Sequence, residues 1–442
     1  MKILKVVHSF VPYTMAGTEV YSYKLSKELS AKNRVSVFFR VNMPEEKEYA
    51  LRHSELDGLE LYAINNTFRL CNSFKDIYSN NSIDNKFGEL LDRVKPDIVH
   101  IHHLLFLSCG VVREIKRRNI PMIYTLHDYW LICHRGQLIK DDMSVCEGGP
   151  SVGCRDCLKY LLGIRRRSLA LYNMVKRKLH PSFLMLLKKA HFFLANRGDK
   201  PSSELQDMKD CKRDVLSKID LFLGPSRFII DKFIQYGLPE EKILYSPYGL
   251  ECNGSSARHS VSAALRIGYL GTLLPMKGVD LLINAFKKIE NNNIRLSIYG
   301  RRFAYSGFES YPLLLEKLAG DDKRVRLAGG YDNKDIRKIL ADIDLLVVPS
   351  IWQENSPLVI QEAFLSNTPV LASRIGGIPE LVRDGSNGLL FNPTDTMDLK
   401  EKLEYIINNP AVLEKFRQNI PKVKSIAENA EEMEKIYSQL IA

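Results

Sequence analysis

Residues 349–381 read PSIWQENSPLVIQEAFLSNTPVLASRIGGIPEL, and the reading of the whole chain turns on them. Two glutamates, Glu354 and Glu362, are separated by seven residues. Between them lies Ser356-Pro357. Serine is a good N-cap, and proline is favoured at the first helical position. The pattern predicts Glu354 in a loop just before a helix, and Glu362 about two turns inside it. The start of such a helix leaves unpaired N–H groups and a partial positive charge. That is a site for a phosphate or diphosphate, with a carboxylate on each side to hold sugar hydroxyls. Taken alone, two helical glutamates are more often a solvated face.

Outward from this stretch the chain alternates strands and helices. In the first half, Ile3–Val7, Val35–Phe39, Pro96–Ile101 and Pro121–Leu126 are short apolar runs that read as buried strands. Helical spacing separates them at Thr18–Ser30 and Val111–Arg118. Ile219–Ser226 reads as the last strand of that domain. Glu251–Ala264 is polar and serine-rich and reads as a linker. The alternation then restarts: strands at Arg266–Leu270, Ile294–Tyr299, Asp344–Val348 and Val370–Ala372, helices at Gly278–Glu290, Asp335–Ala341 and Ser356–Asn367. Such βαβ alternation implies two α/β domains, each with a parallel sheet covered by helices. Ligands of such sheets bind at the carboxyl ends of the strands, and every motif used here follows a strand.

The Glu354/Glu362 pair is followed by Ile375-Gly376-Gly377-Ile378-Pro379-Glu380 and Asp384-Gly385-Ser386-Asn387-Gly388, and preceded by Lys277-Gly278. This ordered set resembles the donor-binding half of the family-4 retaining glycosyltransferases, of the kind acting in cell-surface polysaccharide assembly. The resemblance covers nearly the whole chain, best over Arg266–Phe391 and least over Glu45–Val94 and Gly136–Asp214. It implies the GT-B fold, two Rossmann-like doubly wound domains facing a central cleft. Residues 1–255 would form the acceptor-binding domain and 264–422 the nucleotide-sugar donor domain, with a C-terminal helix at 423–442 packing back on the first.

By that resemblance, Lys277 neutralises the departing phosphate. Glu354 binds the donor sugar or the reaction-centre region, and Glu362 binds the ribose hydroxyls. The backbone N–H groups of Ser356–Leu358 hold phosphate or sugar oxygens, although Pro357 has none to give. Family members carry an arginine five residues before the lysine, where this chain has Thr272. Arg301 or Arg302 is the candidate replacement for that charge, against the reading of a solvated loop arginine. The implied chemistry needs no metal or other cofactor. Asp342 and Asp344 have Asp-x-Asp spacing but flank a strand start, and read as structural.

On the acceptor side, Gly17 opens a helix after the first strand, where a glycine lets backbone approach a ligand closely. Thr125-Leu126-His127-Asp128 follows a strand and matches the family's His-Asp element. His127 is therefore expected to contact the donor sugar or the acceptor, and His100, His102 and His103 to line the cleft. A lone histidine in this position would more often be a structural hydrogen-bonder.

Cys133, Cys146, Cys154 and Cys157 share one loop-rich stretch, with 12, 7 and 2 residues between them. In a cytosolic chain, where disulfides are rare, four such thiols suggest a structural zinc site, with an iron–sulfur cluster as the lesser alternative. The other four cysteines are scattered.

The net charge of +11 is concentrated. Residues 155–200 hold 12 Lys and Arg against 2 acids, a net +10. Apolar residues at Leu161, Ile164, Leu171, Tyr172, Val175 and Leu179 run between the basic triplets Arg165–Arg167 and Lys176–Lys178. This reads as basic amphipathic helix suited to an anionic membrane surface, against a helix packed on its own domain. No signal peptide or spanning segment is visible. The expected setting is cytoplasmic, peripheral on the membrane. The expected partners are a UDP- or GDP-hexose donor and a lipid-linked oligosaccharide acceptor. Two other readings compete: a non-catalytic GT-B subunit, favoured by Thr272, and a nucleic-acid-binding or -modifying protein, favoured only by the basic segment.

Overall fold

The computed structural model describes residues 1–140, 142–148, 154, 201–252, 264–302 and 308–442. The basic segment, Cys157 and most of the expected linker lie outside these residues.

Two sheets organise the chain. The first contains β1 (Lys2–Val7), β2 (Arg34–Val41), β3 (Leu51–Leu56), β4 (Leu59–Asn65), β5 (Ile98–Ile101), β6 (Met122–Thr125), β7 (Leu221–Gly224) and β8 (Ile243–Tyr245). Their order is β3-β4-β2-β1-β5-β6-β7-β8. The second contains β9 (Leu265–Leu270), β10 (Ile294–Tyr299), β11 (Val325–Gly329), β12 (Leu345–Val348), β13 (Val370–Ser373) and β14 (Gly388–Phe391). Their order is β11-β10-β9-β12-β13-β14. All neighbours are parallel except the β3–β4 hairpin. Two doubly wound parallel α/β units, the GT-B architecture, are thus present.

The apolar runs follow from double-sided burial. In β1, Ile3 and Val7 join one apolar cluster while Leu4 and Val6 join another on the opposite face. A central parallel strand covered on both faces must be apolar at nearly every position. The exception is Lys5, which is fully buried. Its Nζ donates to Tyr437 Oη at 2.7 Å and to His100 Nδ1 at 2.9 Å. His100 then carries its ring proton on Nε2 and donates it to Thr125 Oγ1, 2.7 Å away. Burial holds the Lys5 ammonium well below its ordinary pKa, because the charged form loses most on leaving water.

Tyr437 belongs to the helix Ile426–Ile441. Ser425 and Glu428 form a capping box at its start. It buries Ile426, Ala430, Met433, Ile436 and Tyr437, a spacing of one helical face. These residues share the cluster that contains Ile3 and Val7, so the helix covers the first sheet. Tyr21, on the helix Gly17–Ser30, donates to Asn429 Oδ1 at 2.7 Å.

Several expectations need correcting. Ile219–Ser226 is not the last strand of the first sheet, because β8 pairs beyond β7. β8 has only three residues, two of them exposed, too short a run to register as a strand. The β3–β4 hairpin, β11 and β14 also go beyond the expected strands. The Asp342/Asp344 pair is structural, as expected: Asp344 binds Arg266 at 2.7 Å, and Asp342 approaches the same guanidinium at 3.7 Å.

Tyr437→Phe removes the hydroxyl shared by Lys5 and His100. A buried donor then lacks its acceptor, which costs about 1–3 kcal/mol. Denaturant unfolding should show that loss, and an unchanged midpoint would exclude the contact as a fold determinant.

Candidate functional site

Glu354 lies in the loop that leaves β12 and is only 5% exposed. Its Oε1 accepts from Lys277 Nζ at 2.6 Å and from Ser350 Oγ at 2.7 Å. Lys277 ends the short 3-10 turn Pro275–Lys277 that follows β9, and its ammonium also lies 5.2 Å from the Trp352 ring centre. The two loops are fastened by backbone: Ile351 N donates to Met276 O at 2.9 Å. Gly278, at φ +66°, passes so close that a Cβ would stand 2.0 Å from Pro349 O. Gly376 and Gly377 close the other side. A Cβ on Gly376 would stand 2.1 Å from Glu354 O, and one on Gly377 1.9 Å from Asn355 O. Gly377 N donates to Glu354 O at 2.7 Å.

The helix after this loop spans Leu358–Leu365, later than expected. Ser356 does not cap it. Pro357 takes the cap position in an extended conformation, with φ −65° and ψ 117°, and leaves Ser356 outside the helix. Ser356 Oγ instead accepts from Gln361 Nε2 at 3.3 Å. Glu362 is inside the helix and half-buried. Burial raises its carboxyl above the ordinary value, with Lys24 of the other domain pulling the opposite way.

The two arginines do not join Lys277. Arg301 is 58% exposed in its side chain and pairs with Asp332 at 3.5 Å, and Arg302 pairs with Glu316. Thr272 contributes a backbone carbonyl that accepts from Tyr269 Oη at 2.8 Å.

Gly17 starts the helix Gly17–Ser30, and a Cβ there would stand 3.7 Å from Leu358 Cδ1. The helix starts of the two domains therefore meet across the cleft. His127 follows β6. Its Nδ1 lies 2.6 Å from Tyr248 Oη and its Nε2 lies 2.9 Å from His102 Nδ1. Burial, helped by the nearby His103, takes the His127 imidazole down to about 3, so it is neutral at pH 7.

His103, named above for the cleft, sits beside Asp128, whereas His8, Ser226 and Asn355 were not anticipated. His103 accepts from Leu105 N through Nδ1 at 2.9 Å, so its Nε2 carries the proton donated to Asp128 Oδ2 at 3.1 Å. Burial alone would raise the Asp128 carboxyl, but His103 holds it below its ordinary value. His8 approaches Glu19 at 3.3 Å, and the His8 and His103 rings are 4.7 Å apart. Asn355, Ser226 and Glu380 join the two domains directly. His8, after β1, was visible in sequence by its place at a strand end. Ser226 carried no such signal, because its partner Asn355 is 129 residues away.

Cys133 and Cys146 both pack against the first domain's apolar cluster, and Cys154 is half-buried. Among the described residues, no three His, Cys, Asp or Glu side chains are grouped to hold a metal. The expected centre would depend on Cys157, which lies outside the described residues.

Residues 15–253 match the family model described as Glycosyltransferase Family 4, and residues 260–423 match Glycosyl transferases group 1. The chain is 24% identical over 395 residues to an uncharacterized 42.6 kDa protein in the cps region of Klebsiella pneumoniae, covering 87% of this chain and 88% of that protein. It is 27% identical over 220 residues to D-inositol 3-phosphate glycosyltransferase of Corynebacterium efficiens, covering 45% of this chain and 51% of that one. In fold it is similar to sucrose-phosphate synthase of Thermosynechococcus elongatus, with TM-score 0.67, 17% identity and coverage of 99% and 98%. It is likewise similar to Anabaena HepE in complex with UDP and glucose, with TM-score 0.65, 16% identity and 99% of each chain covered. Fold and family models together define a glycosyltransferase of the GT-B type. The first model spans more than half of the chain, which belongs to glycosyltransferase family 4.

The histidine gives a pH prediction. Folded His127 stays neutral down to about pH 3, whereas an unfolded histidine takes up a proton near 6.5. Between these values the unfolded state binds more protons, so stability falls as pH falls. The melting temperature should drop as pH is lowered from 7 to 4, and His127→Asn should flatten that slope. A slope unaltered by the substitution would remove His127 as a contributor.

Proposed function

We propose that this chain is a retaining hexosyltransferase that uses a nucleotide diphosphate sugar and acts on a glycan acceptor in cell-surface polysaccharide assembly. The observation that carries the reading is the Lys277–Glu354 contact at the carboxyl ends of β9 and β12, beside a helix start and facing the domain of His127. A donor diphosphate competes with Glu354 for the ammonium. Once Lys277 turns to the phosphate, Glu354 Oε1 is released to accept a sugar hydroxyl. The N–H groups at the start of Leu358–Leu365 add donors aimed where negative charge develops. Glu362, inside the same helix and half-buried, has carboxyl oxygens suited to accept from ribose hydroxyls.

In the retaining step the acceptor oxygen bonds to the anomeric carbon as the bond from that carbon to the phosphate oxygen breaks. The acceptor proton passes to the leaving phosphate. No side-chain base is then required, which suits a neutral His127 that orients by hydrogen bonding. HepE, similar in fold, has been solved with UDP and with UDP-glucose, and this supports a nucleotide-sugar donor. The cps-region relative supports the polysaccharide setting.

A lipid-linked acceptor, a cytoplasmic location and an anionic membrane surface are part of the same proposal. They rest on the basic segment at 155–200. No helix among the described residues is long and apolar enough to cross a membrane. A structural zinc on Cys133, Cys146, Cys154 and Cys157 is proposed for the loop beside the acceptor side, with no step of transfer routed through it; metal analysis of the purified protein tests it. The second reading, a non-catalytic subunit, is favoured by Thr272 in place of arginine.

A thermal-shift and product-release panel with UDP-, GDP- and ADP-sugars separates these readings. One donor should raise the melting temperature. Lys277→Ala should abolish the shift and slow nucleotide release by at least about 10²-fold. Stabilisation without turnover, even with membrane extract as acceptor, would favour the non-catalytic subunit. No response to any donor would overturn the site.

A further inference from the structure

Asn355 follows Glu354 directly, yet its side chain points away from the donor site and into the other domain. It is 4% exposed. Its Nδ2 donates both protons, to Leu126 O at 2.8 Å and to His127 O at 3.1 Å. Its Oδ1 accepts from Ser226 Oγ at 2.6 Å. Ser226 is in turn the N-cap of the helix Arg227–Gln235, accepting from Ile229 N at 3.2 Å. That bond uses the hydroxyl's acceptor side and leaves its proton for Asn355. The orientation of the amide is therefore fixed by its partners: two carbonyls require the NH2, and one O–H requires the carbonyl. A second tie runs to the same helix, where Glu380 accepts from Arg227 N at 2.8 Å and Phe228 N at 2.7 Å.

We propose that Asn355 is a positioning residue for transfer, whose carboxamide ties the loop that carries Glu354 to the backbone that carries His127. One peptide bond separates the donor carboxylate from this tie, and the tie ends on the carbonyl of His127 itself. Closing the domains thereby sets the distance from His127 to a sugar held by Glu354. The chemistry requires asparagine. An aspartate would turn a carboxylate oxygen toward two carbonyl oxygens, and an alanine would leave those carbonyls and Ser226 without a partner.

The proposal rests on the glycosyltransferase reading, and the test separates the two. Asn355→Asp, Asn355→Ala and Ser226→Ala are compared with the unaltered chain in UDP-glucose binding, UDP release with membrane extract as acceptor, and solution X-ray scattering. The aspartate variant is expected to bind UDP-glucose within about 3-fold of the unaltered chain, because Lys277, Glu354 and Glu362 lie in one domain. Its UDP release should fall roughly 30- to 100-fold, as two bonds become two repulsions. Its radius of gyration should rise. The alanine variant should lie between, and Ser226→Ala, which loses one bond, should be mildest.

Equal release and equal scattering for the aspartate variant would overturn the proposal. So would loss of UDP-glucose binding in step with turnover, which would place Asn355 in the donor site. If the unaltered chain neither binds nor cleaves UDP-glucose, the transferase reading with that donor fails. The scattering comparison still decides the tie, and unchanged compactness would sink it.

Discussion

The peptide between Glu354 and Asn355 is the point on which the cleft depends. Backbone crowds it from one side at Gly376 and Gly377, and the Lys277 turn is pressed against the same loop through Gly278 and Pro349. No β-carbon fits at these glycines without moving main chain. The loop's position is therefore set by main-chain contact, before any side chain is considered. From that one peptide, Glu354 reaches Lys277 in its own domain and Asn355 reaches the other domain. A shift of the peptide moves the Lys277 contact and the domain contact together.

The charges of the cleft follow a second rule, set by burial. On the donor side a cation and an anion are paired, Lys277 with the nearly buried Glu354. On the acceptor side, buried histidines lose their charge. His100, His102 and His127 are all held below the ordinary imidazole value, chiefly by desolvation. The cleft thus has the Lys277–Glu354 pair on one wall, and on the other uncharged imidazoles beside the Asp128 carboxylate.

Much of this was legible in sequence. β1, β2, β5, β6, β12 and β13 are largely covered on both faces and show as mostly apolar runs, while β10 shows by alternation. The Lys277, Glu354 and Glu362 positions could be read because each belongs to a short local pattern. What escaped was non-local or unpatterned. β3 is exposed along most of its length, so neither alternation nor an apolar run marks it. The helix start moved because a proline can hold the extended cap position as readily as the first helical one. Asn355 belongs to no pattern of its own in sequence. Its partners, Ser226 and the carbonyls of Leu126 and His127, lie more than 120 residues away, and carbonyls leave no trace in sequence.

The contact of Lys5 with Tyr437 joins residues 432 positions apart. During synthesis the first strand leaves the ribosome with Lys5 but without that partner. At roughly 5–20 residues per second, translation supplies Tyr437 on the order of half a minute or more later. The first sheet can assemble in the meantime, but with the Lys5 amine lacking its hydroxyl partner and an apolar face lacking the helix Ile426–Ile441. The N-terminal half is thus born earlier than it is finished, and its completion waits on the arrival of the helix Ile426–Ile441.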